Sequence, residues 1–150
     1  MHRRSMLWGA VTAFGAAFAA SRANAATDKA APAAKLKVVY HLNDLDKVSF
    51  VLGNIQNHFD GVGGPDRVTI ALVIHGQALR AFHAASANPD IKGRVGQFSK
   101  AGLELAACGN TMQSQKVELK DLLPGFVSAD RGGVVRIAEL QSQGYLYLRP

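Results

Sequence analysis

Three residues suited to proton and sulfur chemistry end the first three predicted β-strands. They are His41, His75 and Cys108, and Cys108 is the only cysteine in the chain. A thiolate is a nucleophile, and histidine exchanges protons near neutral pH. Ligands of open α/β sheets bind beyond the carboxyl ends of the strands. The positions of these residues therefore predict a site at that edge, with all three in catalytic roles.

Cys108 lies between an apolar run, Leu103 to Ala107, and the segment Gly109-Asn110-Thr111. A thiol just ahead of a helix start lies close to unpaired backbone N–H groups, which favour the thiolate. The alternative is inert packing, since free cysteine is among the most buried residue types. In an oxidising compartment a lone cysteine must be protected, paired between chains or used. We predict that Cys108 is reactive and that Gly109, Asn110 and Thr111 bind its ligand.

His41 and His75 are the candidate bases or proton carriers for that thiol. The alternative for each is a structural, hydrogen-bonded histidine at a strand end. Gly76 follows His75 and allows close approach of backbone or ligand, so we predict it as a further ligand-binding residue. A His/His/Cys set can also bind zinc or copper, but these ligands are scattered singly with no CxxC or HxxxH pair. We therefore expect no cofactor and no metal, and keep a metal site as an alternative.

The first 25 residues have the features of an export signal. A basic start with Arg3-Arg4 leads into a short apolar run, and Ala23-Asn24-Ala25 is a typical cleavage site. The paired arginines favour the twin-arginine route over the general secretory route. Cleavage after Ala25 would place the mature chain in the periplasm. It would leave 14 basic against 11 acidic residues, a formal net charge of +3. No basic run remains to predict nucleic-acid binding, and no apolar run is long enough to predict membrane insertion.

Residues 26–35 are rich in Ala, Pro and Lys and predict a disordered leader, followed by one domain over 36–150. Strands are predicted at 36–41, 68–74, 103–107, 126–128 and 145–148. Helices are predicted from Asn43 or Asp44 to Phe59, at 77–84 and 89–100, from Asn110 in capping-box spacing with Gln113, and at 134–143. Alternating strands and helices predict a mainly parallel three-layer α/β/α sheet. In a flavodoxin-like strand order, His41 and Cys108 would flank one crevice.

Five segments together resemble one protein family. They are "VVYHLND", "LVIHG", "LELAACGNTM", "DLLPGF" and "GVVRIAELQSQGYLYLRP", which span 36–150. In this order and spacing they resemble the DsrE/DsrF-like family, which includes the TusD-type sulfur-relay subunits. The resemblance implies a five-stranded parallel sheet of order 2-1-3-4-5 and assembly into homo-oligomers, either trimers or hexamers. It also implies that Cys108 carries sulfur as a persulfide.

These observations lead to a main expectation and two alternatives. We expect a periplasmic sulfur carrier whose partner is a sulfur donor or acceptor protein or a small thiol. Export is its main departure from the family, because the relay subunits exchange sulfur with cytoplasmic partners. The first alternative is a non-enzymatic module that binds a small ligand or serves in oligomeric assembly. The second is a His/Cys metal-binding protein.

Overall fold

A computed structural model of the chain describes residues 35–150. The predicted signal segment, 1–25, and all of the predicted leader except Lys35 lie outside the described residues. Across 35–150, no helix combines the length and apolarity needed to cross a membrane.

The predicted α/β class is confirmed by a sheet of five parallel strands. These are β1 (Leu36–Leu42), β2 (Val68–Ile74), β3 (Glu104–Cys108), β4 (Phe126–Ala129) and β5 (Leu146–Leu148). Every neighbouring pair is parallel. The strand bounds match the predicted ones within one residue at each end.

The order of the strands is β4-β3-β2-β1-β5, so the expected order 2-1-3-4-5 is wrong. In the expected order β1 and β3 would be neighbours, but β2 lies between them. All residues of β2 except Thr69 are buried, as a central strand that is covered on both faces requires. The chain therefore steps from β1 to β4 in one direction and returns only once, to place β5 on the other side of β1.

Four α-helices connect the strands. They are α1 (Val48–Val62), α2 (Pro89–Lys100), α3 (Gly109–Gln115) and α4 (Gly133–Ser142). The first three belong to one large core cluster, and α4 packs on the opposite side of the sheet. We call these two sides the α1 face and the α4 face. Because crossovers are right-handed, the single backward step from β4 to β5 moves its helix to the opposite side.

The predicted helix at 77–84 is a 3₁₀-helix over Gly76–Phe82. A hydrogen bond to the loop after β1 holds its first turn in place, because the N–H of Ala78 donates to the carbonyl of Asn43 (3.1 Å). Two predicted helix starts also differ. Asp44 makes no side-chain cap hydrogen bond, and the predicted cap residue Asn110 lies inside α3, whose cap position is Cys108. A 3₁₀ turn, Leu45–Lys47, precedes α1 instead, and α3 begins at Gly109.

Candidate functional site

The three predicted catalytic residues end adjacent strands. Cys108 closes β3, His75 follows β2, and His41 lies near the end of β1. The sheet order places β2 between the other two. The expectation that His41 and Cys108 flank one crevice is therefore wrong, because His75 lies between them.

All three side chains point toward the α4 face. Side chains alternate along a strand, so each shares the face of the residue two positions before it. Those preceding residues are Val39, Val73 and Ala106, and all of them pack in the core beneath α4. The edge of the α4 face therefore carries a row of two imidazoles and a thiol.

Hydrogen-bond donors from two segments surround the sulfur of Cys108, whose residue is 5% exposed. Burial raises the pKa of the thiol. Hydrogen bonds from the Thr111 hydroxyl and from the backbone N–H groups of Gly133, Thr111 and Asn110 lower it, and the net pKa lies below the ordinary value. Hydrogen bonds to an anionic sulfur offset its desolvation. The surroundings of Cys108 therefore favour the thiolate.

Thr111 is buried, and its hydroxyl is fixed from a neighbouring strand end. The hydroxyl oxygen accepts a hydrogen bond from the N–H of Gly76 (3.0 Å), and its own proton can then turn toward the sulfur. Gly76 has a φ of +60°, which favours glycine, and its carbonyl accepts from Nε2 of Gln115 (2.8 Å). The predicted ligand-binding residue Gly76 thus orients a group that contacts the sulfur.

Glycines allow the backbone to come close to the sulfur. A β-carbon on Gly133 would lie 3.3 Å from Cβ of Cys108 and 3.3 Å from Cγ1 of Val73. A β-carbon on Gly109 would lie 3.0 Å from the carbonyl oxygen of Asp130. Gly133 therefore brings the first turn of α4 against the cysteine, while Gly109 lets α3 pack against the loop that precedes α4.

The two histidines join a hydrogen-bonded group across β1, β2 and β5. Nε2 of His41 contacts Nε2 of His75, with the ring planes 14° apart and the ring centroids separated by 4.7 Å, so the rings meet end to end. Nδ1 of His41 lies 2.6 Å from Oη of Tyr147. Burial, then the charges of His75 and Arg149, lower the pKa of His41 to about 4, although Asp44 acts in the opposite sense. Both rings are held in hydrogen bonds, and the lowered pKa of His41 favours its neutral form at pH 7.

Burial is also the main cause that lowers the pKa of His75, followed by the charge of Arg149, with Asp44 opposing. Arg149 donates to Oδ1 of Asn43 (2.9 Å) and pairs with Asp44 (3.3 Å). A fixed guanidinium near two partly buried rings disfavours imidazolium. These histidines are therefore suited to pass protons as neutral rings.

A cavity of about 280 Å³ joins one of the histidines to the cysteine. Its lining consists of strand-end and helix-start residues, namely His75, Cys108, Asn110, Thr111, Arg131, Gly132, Gly133, Val134 and Val135. Four predicted site residues line this cavity, and the other three, His41, Gly76 and Gly109, are not part of its lining. A larger, adjoining cavity of about 520 Å³ shares Arg131, Gly132 and Val135 with it.

No cluster of three or more His, Cys, Asp or Glu side chains within 35–150 has the arrangement needed to hold a metal ion. The contact between His41 and His75 is a pair, and the chemistry of the cavity is that of a thiol with N–H donors. The residues brought together at the strand ends can therefore hold an anionic sulfur and move a proton.

The model of the DsrE/DsrF-like family matches residues 12–150. The chain belongs to this family. The comparison with curated proteins gave no match.

Three solved structures are similar to this DsrE/DsrF-like chain. A protein of unknown function, MTH1491, from Methanobacterium thermoautotrophicum is 26% identical, with a TM-score of 0.67 over 77% of this chain and 99% of that one. The ychN protein of E. coli is 11% identical, with a TM-score of 0.56 over 77% and 99%. A conserved protein of unknown function, BT1422, from Bacteroides thetaiotaomicron is 14% identical, with a TM-score of 0.58 over 80% and 99%. The likeness to the last two is one of fold.

Sequence reasoning did not single out Gly133 or Tyr147. Gly133 directly precedes the predicted helix at 134–143, and its contact with Cys108 depends on where α4 crosses the sheet. Tyr147 lies on a strand that pairs with β1, at the register position of Val39. That register follows from the strand order, which the sequence pattern did not determine.

Proposed function

We propose that this DsrE/DsrF-like protein is a periplasmic sulfur carrier in which Cys108 holds a sulfane sulfur as a persulfide. The observation that carries the proposal is the position of the buried Cys108 thiol in a cavity lined also by Asn110, Thr111 and Gly133, whose N–H and O–H groups lower the pKa of the thiol. The same donors can hold the anionic outer sulfur of a persulfide. Membership of the family supports a role related to sulfur relay.

The proposed reaction is a transfer with no net oxidation. The thiolate of Cys108 attacks the outer sulfur of a donor persulfide or polysulfide, and a new S–S bond forms. The donor's own S–S bond breaks, and its electron pair leaves on the remaining donor thiolate. An acceptor thiolate then attacks the outer sulfur on Cys108, which leaves as a thiolate.

The volume of about 280 Å³ suits a small donor or a single side chain of a partner. Ligand pockets for larger organic molecules occupy about 300–1,000 Å³. The cavity therefore favours inorganic polysulfide, a small thiol persulfide, or a cysteine presented on a narrow protein loop.

Mass spectrometry of the chain after treatment with inorganic polysulfide tests the carrier function. The wild type is expected to gain the mass of one sulfur atom, removed again by a reducing thiol. Cys108→Ser should show no such adduct, because the chain has no other cysteine. Thr111→Ser, which keeps the hydroxyl, is the matched control and should still form the adduct. A wild type that forms no adduct with polysulfide or thiosulfate contradicts the proposal.

The adjoining cavity of about 520 Å³ is the observation that favours the first alternative, a small-ligand-binding module. Its charges already pair with one another, since Arg136 donates to both carboxylate oxygens of Glu104 (2.6 and 2.7 Å). Arg131 likewise pairs with Glu139. A ligand-binding role predicts that Cys108→Ser retains full function and assembly.

Export is part of the proposal and has its own test. The paired arginines Arg3-Arg4 support the twin-arginine route. Fractionation of cells that express the full chain should recover a product cleaved after Ala25 in the periplasm. Replacement of both arginines by lysine should retain the precursor inside the cell, whereas an uncleaved, cytoplasmic wild type contradicts export.

Assembly into trimers or hexamers is likewise proposed. Leu146 and Leu148 of β5 pair with Val38 and Tyr40 of β1, so they share the α1 face, yet they are 56% and 39% exposed. Exposed apolar side chains at a sheet edge favour association. Analytical ultracentrifugation should show an oligomer in the wild type and a smaller species in Leu146→Lys. A monomeric wild type contradicts the assembly.

A further inference from the structure

Four polar side chains form a row along the carboxyl edge of the α4 face. Successive strands β3, β2, β1 and β5 contribute one each. In this order they are Cys108, His75, His41 and Tyr147. Tyr147 belongs to the row because it pairs with Val39, a residue beneath α4 that shares its face with His41. The row runs from a buried sulfur to a tyrosine that is 41% exposed.

The members of the row are connected to one another. Oη of Tyr147 and Nδ1 of His41 are 2.6 Å apart, and the two histidines meet through their Nε2 atoms. His75 and Cys108 line the same cavity. Within 35–150, the hydrogen bond of the His75 ring uses Nε2, so Nδ1 is the ring nitrogen left for a hydrogen bond in the cavity that His75 lines. Each imidazole can therefore use one nitrogen toward the sulfur and the other toward the surface.

We propose that His75, His41 and Tyr147 form a proton relay between Cys108 and solvent, with Tyr147 as its outer positioning residue. The inference rests on the proposed sulfur-carrier function, since a buried thiol must lose its proton before it attacks a donor. It goes beyond that function because it names the path of the proton and assigns a role to Tyr147.

The relay moves one proton without changing the net charge of any relay residue. Nδ1 of His75 accepts the thiol proton across the cavity, directly or through one water molecule. Nε2 of His75 passes its proton to Nε2 of His41, and Nδ1 of His41 passes its own to Oη of Tyr147. Tyr147 then releases its hydroxyl proton to solvent. Both imidazoles end in the opposite tautomer, and the reverse sequence resets them.

The charges around the row favour this neutral route over a histidine that stores a proton. Arg149 lies near both rings and disfavours imidazolium, and Asp44, which would favour it, is paired with Arg149. Concerted exchange between neutral tautomers avoids a buried positive charge. The relay therefore needs each hydrogen bond in the row, including the outer one from Tyr147.

Tyr147→Phe tests the relay, with Tyr145→Phe as the matched control. Tyr145 lies two residues earlier and packs against the core of the α4 face. The first measurement is nitrogen NMR of the histidine side chains. We expect Tyr147→Phe to change the tautomer populations of both His41 and His75, although among the residues that the structure describes the Tyr147 hydroxyl is hydrogen-bonded to His41 and not to His75. Unchanged His75 signals would overturn the relay, whether or not the protein carries sulfur.

The second measurement is the rate of sulfur transfer from polysulfide to Cys108 at low buffer concentration. General acid–base catalysis contributes about 10²–10⁴-fold, and partial bypass by water leaves a loss of about tenfold in Tyr147→Phe. Added imidazole should restore most of the rate, which a purely structural defect would not allow. Equal rates in Tyr147→Phe and Tyr145→Phe overturn the relay. No transfer in the wild type overturns the sulfur-carrier function itself. The NMR measurement tests the proton relay independently of sulfur transfer.

Discussion

Helices α1, α2 and α3 cover one face of the sheet, whereas α4 alone covers the other. The core of the α1 face includes large side chains such as Leu52, Phe82 and Phe98. The core of the α4 face is small. In it, Ile137 and Leu140 of α4 pack on small alanine and valine side chains of the strands. The comparison separates two tasks. The α1 face supplies most of the buried apolar area, while the thinly covered face leaves its strand ends accessible.

The polar row belongs to the thinly covered face. Where α4 begins, its first turn lies against the buried Cys108, whereas Tyr147 at the other end of the row is 41% exposed. The same face thus offers a sheltered position for sulfur and an open one for proton exchange. A fully covered face would shelter the sulfur but would leave no open position for proton exchange.

The largest expected effect separates the two cores. Leu52→Ala on the α1 face should lower the free energy of unfolding by about 3–5 kcal/mol, because it opens a cavity at a fully buried site. Ile137→Ala on the α4 face should cost less, about 2 kcal/mol, since Ile137 is 7% exposed and its small core can relax. Urea denaturation measures both. Equal losses would remove the energetic difference between the faces.

Gly133→Ala should disturb the α4 face where it meets the sulfur. The added methyl would meet Cys108 and Val73 at 3.3 Å, so we expect a loss of about 1–3 kcal/mol in unfolding free energy. Alkylation of Cys108 by iodoacetamide should also become slower. Gly93→Ala in α2 is the control, because nothing lies within 4 Å of the added carbon. That variant should gain about 0.5–1 kcal/mol. A Gly133→Ala chain as stable and reactive as wild type would contradict the close packing.

Thr111→Val should raise the pKa of the Cys108 thiol. It removes a hydroxyl that stabilises the thiolate, and one charge-assisted hydrogen bond corresponds to about one pKa unit. The pH profile of iodoacetamide alkylation measures the shift, and Thr111→Ser should restore the wild-type profile. A profile unchanged in Thr111→Val would show that the backbone N–H groups hold the thiolate without the hydroxyl.

The smallest effect concerns pH at the open end of the row. The pKa of His41 is about 4 in the folded chain against 6.5 as the ordinary value. Below pH 6.5 the unfolded chain therefore binds more protons than the folded chain at this residue. The contribution of neutral His41 is fully present above pH 6.5 and is lost as the pH falls toward 4. Urea midpoints should fall less steeply over this range in His41→Gln than in wild type, and equal slopes would contradict the shift.

Much of the fold follows from local patterns in the sequence. The nearly continuous apolar run of β2 and the Asn88-Pro89 start of α2 have the predicted bounds. The Asn88 side chain accepts a hydrogen bond from the N–H of Asp90 (2.8 Å). The helical spacing of Val48, Leu52 and Ile55 also predicts their burial. These features depend on interactions within one helix or strand, so the local amino-acid sequence is enough to predict them.

The strand order and the geometry of the site are not local properties. The amino-acid sequence indicates that His41, His75 and Cys108 end strands. Their spatial order along the edge of the sheet depends on which strands pair. The contact between Gly133 and Cys108 depends on the crossover of α4 to the opposite face. The sequence therefore predicts which residues belong to the site, but it does not predict how they are arranged in space.

The backbone at Gly76 links the two ends of the site mechanically. It follows His75, and its N–H holds the hydroxyl of Thr111 that meets the sulfur. Because glycine tolerates the left-handed conformation found here, this unit can keep both groups in place without strain. Any rotation of that one peptide group would release the threonine and move the histidine together. The affinity of the site for sulfur and the transfer of protons by His75 would then change together. A substitution at Gly76 would alter both at once.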